Sequence, residues 1–182
     1  MFRAIRRVFA SFYYENAWAT RRRLQVNEAQ VGMAMLVHHS YPDPTELANG
    51  VVILDRTPTQ TNLTISTQEG AISVTNPDPG VVSEEVIGQV IGTNIYVNLN
   101  RSSNLVQIGQ TVMAWETDYR SVVSLCNAVA NRIAQETGQT TFSLDFEFKK
   151  TTFGNAIEMK QVRPFPRPST APTITPYMMP LP

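Results

Sequence analysis

Residues 141–166 read TFSLDFEFKKTTFGNAIEMKQVRPFP. Phe142, Leu144, Phe146 and Phe148 alternate with Ser143, Asp145, Glu147 and Lys149. A period of two marks a strand with one apolar face and one polar face. The turn-forming TTFGN follows, then an extended run carries Ile157, Met159, Gln161 and Arg163 to Pro164, which makes a hairpin. By strict alternation those four returning residues share one face. If that face is the acidic one, Ile157 and Met159 lie beside two carboxylates, an amide and a guanidinium. Two readings are open on the residues alone. The hairpin is either a half-exposed face with cross-strand ion pairs or the floor of a site for a charged ligand. In the second case Asp145, Glu147 and the Gln161 carbonyl are hard oxygen ligands that suit Mg²⁺. Arg163 offers a planar fork to phosphate, and Ile157 and Met159 can pack on a flat base.

Upstream, residues 117–137 return to a helical period, with Val122, Leu125, Cys126, Val129 and Ile133 on one face. Asp118 is expected as the N-cap and Gly138 as the terminator. Residues 56–110 hold short strand-like runs, NLTIST, AISVT, VIGQVIG and NIYVNLN, separated by turns such as NPDPG at Asn76–Gly80. NGVVILD (Asn49–Asp55) reads as a strand paired to VGMAMLVHHSY (Val31–Tyr41), an apolar run of the kind buried on both faces. Apolar residues at helical spacing, with no Gly or Pro before Gly32, predict one amphipathic helix over residues 2–24. Asn27–Ala29 reads as a turn. The expected fold is α+β, a mainly antiparallel sheet with helices packed on one face. Residues 167–182 are a proline-rich tail or linker.

Composition narrows the function classes. Of 182 residues, 42% are hydrophobic and 16% charged, enough for one domain with a core. Fifteen basic and fifteen acidic residues cancel, so net charge makes no case for nucleic acid or an anionic membrane as the main partner, although Arg3, Arg6, Arg7 and Arg21–Arg23 cluster. The single cysteine, Cys126, rules out a disulfide framework within the chain and fits a reducing, cytoplasmic setting as a buried thiol. No run approaches the roughly 18 apolar residues of a membrane span, and the arginines spread through the first residues do not fit a signal peptide. No CxxC, HExxH, Walker loop, GxGxxG or GxSxG is present. His38 and His39 are adjacent on an expected strand end, so they point to opposite faces and do not chelate one metal together.

DFEF (Asp145–Phe148) and QVRP (Gln161–Pro164) resemble the end of the nucleotide-binding domain of the phosphoenolpyruvate synthase and pyruvate phosphate dikinase family. That ATP-grasp domain closes with an Asp-Ile-Glu-aromatic strand, a turn and a strand ending Gln-x-Arg-Pro. VFASFYYENAWATRR (Val8–Arg22) is similar to the family's Ala-Ser-Leu-x-x-x-Arg-Ala-x-x-Tyr-Arg helix at Ala10, Ser11, Ala17 and Arg21. VGMAMLVHHSY resembles the strand entering the adenine hinge, ANGVVIL (Ala48–Leu54) the strand after it, and SVTNPD (Ser73–Asp78) the Val-x-Pro-Asp-type segment. Departures are Asn16 for an arginine, Thr20 for a tyrosine, and TQEG, with Glu69 the nearest acid, for a Gly-Leu-Gly-Glu turn.

The resemblance implies an ATP-grasp-like C-terminal subdomain over residues 1–166, with ATP and Mg²⁺ as cofactors. Glu147, Gln161 and Asp145 would hold Mg²⁺, and Arg163 would contact phosphate as the catalytic group. Arg21, Met159, His38 and Ser40 would border the nucleotide, the last two through backbone groups. The first half of the family's domain, which carries its lysine and Arg-Ser-Ser motif, its phosphoryl-carrying histidine domain and its pyruvate barrel all fall outside the stretch that the resemblance covers. The implied activity is therefore ATP-dependent phosphoryl transfer in a parent protein, which this chain does not catalyse alone. A missing first half of the domain, or a partner chain, would complete the site. The alternative is a degenerate, non-catalytic relative used for binding or scaffolding.

Overall fold

The computed structural model describes residues 2–35, 37 and 43–165, which fall into two units, residues 1–40 and 41–182. In the first unit the expected single helix is two, α1 (Phe2–Ser11) and α2 (Glu15–Arg23). Three successive aromatics cause the break. Phe12, Tyr13 and Tyr14 donate their backbone N–H groups to Phe9, Ala10 and Ser11, a tightened i→i−3 pattern, and Tyr14 then turns extended (φ −67°, ψ 147°). Aromatic side chains lose rotamer freedom in a helix, so a run of them is a weak place. Arg21 reinforces it. Its guanidinium lies 3.9 Å from the Phe12 ring centroid and donates to the freed Phe12 carbonyl at 2.8 Å.

Asn27 caps a short 3₁₀ turn, Glu28–Gln30, by accepting from the Ala29 N–H. The strand expected over Val31–Tyr41 is not formed at residues 31–35, and His38–Tyr41 lie outside the described residues. Without a neighbouring strand to bond its backbone, an apolar run has no ladder to join.

The second unit is a six-stranded antiparallel sheet, β1 (Glu46–Arg56), β2 (Gln60–Glu69), β3 (Glu84–Ile91), β4 (Asn94–Arg101), β5 (Phe142–Thr151) and β6 (Ile157–Pro164), in the order β4-β3-β2-β1-β5-β6. The long helix α3 (Thr117–Thr137) carries the chain from the β4 edge back to β5. AISVT, expected as a strand, is a turn and loop. Asn49 explains part of that course, because its Nδ2 donates at 2.8 Å to the carbonyls of both Gly70 and Ile72 and holds the loop against β1.

Alternation sorts the sheet's two faces. Val52, Leu54, Leu63, Ile65, Val86, Phe146 and Phe148 are buried against Tyr119, Val122, Val123, Cys126 and Ala130 of α3. Each large side chain so buried stabilises the fold by roughly 1.5–3 kcal/mol. Two glycines let the layers close. A Cβ on Gly50 would meet the Phe148 ring at 2.5 Å, and one on Gly88 would meet Val123 Cγ2 at 2.6 Å. Gly138 ends α3 in the left-handed conformation (φ 71°) with its N–H on the Ala134 carbonyl, as the sequence predicts. Asp118 is not the N-cap. Glu116 holds that position, and Asp118 turns inward to accept from the Ala114 N–H at 2.8 Å and from the Lys150 ammonium.

Candidate functional site

The hairpin β5–β6 places the acidic residues on the sheet face turned away from α3. Asp145 pairs with Arg163 and Glu147 pairs with Gln161 in alternate rungs, with the Phe146–Val162 pair between them. Beyond Glu147 the register shifts, so that Phe148 pairs with Met159 and Lys160 is the extra residue of a bulge. One inserted residue reverses the parity of everything beyond it. Ile157 and Met159 therefore do not share a face with Gln161 and Arg163. They pack against the core on the α3 side, and Met159 is removed from the acidic face where strict alternation puts it.

Two rungs of different character result. Arg163 donates from Nε to Asp145 Oδ2 at 2.8 Å, with Nη2 at 2.6 Å from the same oxygen. Asp145 is buried, while the Arg163 side chain is 61% exposed. The guanidinium therefore covers the carboxylate and leaves its outer edge in solvent. Glu147 is half-buried and Gln161 exposed. Across β1, Glu147 is flanked by Val51 and Asp145 by Ile53, so each carboxylate rises beside an aliphatic side chain. Farther along, the Ser143 hydroxyl donates to Asp55 Oδ1.

A small cleft of about 160 Å³ opens beside Glu147, bordered by Asn49, Val51, Val74, Thr75, Lys149 and Lys160. Of its two lysines, Lys149 is ion-paired with Glu46. Sequence reading did not assign Glu46 or Lys160. Glu46 lies 103 residues from Lys149 in the chain, and Lys160 reaches the cleft because it is the bulge residue. Glu147 and Gln161 supply two side-chain oxygens on one rung. That donor set fits a hard cation which completes its shell with water or phosphate oxygens. Among the described residues no three His, Cys, Asp or Glu side chains converge into a closed metal cage.

The other expected site residues are Arg21, His38 and Ser40. Arg21 belongs to the first unit, where its Nε donates to both carboxylate oxygens of Glu28 at 3.0 Å. His38 and Ser40 lie outside the described residues.

On the α3 side the sheet holds a second polar centre. Glu84 is fully buried and accepts from the Val112 N–H and the Tyr119 hydroxyl. Desolvation raises its carboxyl above the usual range, against the lowering effect of those two donors. Burial, followed by the hydrogen bond and charge of Glu84, raises the Tyr119 phenol as well. Nearby, Lys150, which is ion-paired with Asp118, borders an open groove of about 760 Å³ with Leu47, Leu99, Val112, Met113 and Trp115. Burial pushes the Cys126 thiol up to about 12, so it is an inert core residue.

Comparison with known protein families, curated proteins and solved structures found no match to this chain. No helix among the described residues is long and apolar enough to cross a membrane.

Proposed function

We propose that the chain contributes one wall of a Mg²⁺–nucleotide site, in the manner of the closing hairpin of a phosphoenolpyruvate synthase or pyruvate phosphate dikinase ATP-grasp domain. The observation that supports this reading best is the direct cross-strand pairing of Glu147 with Gln161, two rungs from Asp145 and Arg163 on the same face. Glu147 and Gln161 would hold the cation, with Asp145 on the same face as a further oxygen donor. Arg163 meets the phosphates with the guanidinium edge that Asp145 leaves open. Bound Mg²⁺–ATP supplies a charge-neutralised phosphoryl donor, and transfer to a histidine belongs to other parts of a parent protein. By itself the chain binds and does not turn over.

Titration of the protein with Mg²⁺–ATP by calorimetry tests this, with the E147Q variant beside it. Removing one charge-assisted contact is expected to weaken binding about tenfold, the equivalent of roughly 1.4 kcal/mol. Equal affinities for the two proteins would sink the role given to Glu147.

A second reading, a non-catalytic relative that keeps the fold as a binding or scaffold element, draws support from Arg163. Two of its donors are already directed at Asp145, which lowers its value as a phosphate clamp. Absence of any Mg²⁺–ATP heat at millimolar nucleotide would select this second reading.

A further inference from the structure

The zero net charge of the chain conceals a division between its two units. Residues 1–40 hold six arginines against Glu15 and Glu28, a net of +4. Residues 41–182 hold the remaining nine basic residues against thirteen acidic ones, a net of −4. None of the described residues of the positive unit is buried. Several of its large apolar side chains stand in solvent, with Phe2 81%, Tyr13 80% and Trp18 52% exposed.

The pattern on α1 is ordered. At 100° per residue, Phe2, Ile5, Val8 and Phe9 fall on one side of the helix and Arg3, Arg6 and Arg7 on the other. Tyr13, Tyr14 and Trp18 follow at once, and the Arg22 guanidinium lies 5.9 Å from the Trp18 ring. A helix with aliphatic and Phe side chains on one face, arginines along its flank and Tyr and Trp at its end matches the chemistry of a bilayer interface. The apolar face enters the acyl boundary and the guanidinium groups reach the headgroups. A nucleic acid would engage the arginine side alone and leave Phe2, Ile5 and Phe9 in water.

We propose that α1 is an interfacial helix that docks this protein reversibly on an anionic lipid surface. Positive charge and exposed apolar area act together, and neither suffices for stable binding on so short a helix.

Co-sedimentation of the full chain with phosphatidylserine-containing vesicles tests the proposal, with pure phosphatidylcholine vesicles as the neutral arm. Binding is expected only to the anionic vesicles and is expected to fall steeply with added salt. The R3Q/R6Q/R7Q variant should lose about a hundredfold in partitioning, the effect of three surface charges. The F9S variant should lose binding while keeping the urea unfolding midpoint of the sheet unit, because Phe9 is not part of that unit. Equal sedimentation with neutral vesicles, or binding unchanged in the triple variant, would overturn the proposal. Stronger association with poly-glutamate than with vesicles would assign the surface to an acidic protein and overturn it as well.

Discussion

Arg163 directs both Nε and Nη2 at a single oxygen of Asp145, at 2.8 and 2.6 Å, across the β5–β6 ladder. Geometry of that quality suggests a strong pair, yet the arginine side chain is 61% exposed. Solvent screening then governs its worth, and exposed pairs contribute about 1 kcal/mol or less. A double-mutant cycle with R163A and D145A, read by urea unfolding, is expected to give a coupling of about 0.5 kcal/mol that shrinks in high salt. A coupling above about 2 kcal/mol, insensitive to salt, would mean that the pair is desolvated and chiefly structural.

Gly50 is required by what stands over it. A methyl group there would lie 2.5 Å from the Phe148 ring and 2.7 Å from the Ser66 carbonyl oxygen. The ring is fully buried and the carbonyl belongs to the β2 ladder, so neither has room to give. Substituting Gly50→Ala should destabilise the protein by about 1–3 kcal/mol, the usual cost of overpacking a core. Thermal unfolding of the G50A variant checks this, and an unchanged midpoint would show that β1 and β5 separate more easily than their packing suggests.

Glu84 predicts a pH dependence of definite sign. Burial raises its carboxyl above the ordinary 4.5 in the folded state. Between that value and the folded one the native protein holds a proton that the unfolded chain has released. The contribution to stability is therefore complete below about pH 4.5 and is lost as pH rises through the folded value. Relative to E84Q, the wild type should lose stability as pH rises above about 4.5. Parallel stability curves for the two proteins across that range would contradict the shift.

Much of the sheet unit is legible in one dimension. The helix 117–137 follows from apolar spacing and from Gly138, because a left-handed terminator is cheap only for glycine. The faces of β5 follow from strict alternation between Phe142 and Lys149. Local rules failed where a neighbour decided the outcome. Asp118 has the composition of an N-cap, but Lys150 and the Ala114 N–H draw it inward. VGMAM has the composition of a strand, and residues 31–35 have none of the ladder that would make it one.

Sequence alone therefore determines which residues of the hairpin are acidic, which are apolar, and that Glu147 and Asp145 share a face, since that depends only on the pleat of one strand. Only the tertiary structure decides what stands beside them. A single bulge at Lys160 turns Met159 into the core while Gln161 and Arg163 stay with the carboxylates. Register is set by how two strands and the layer beneath them pack together, and no spacing within either strand contains that information.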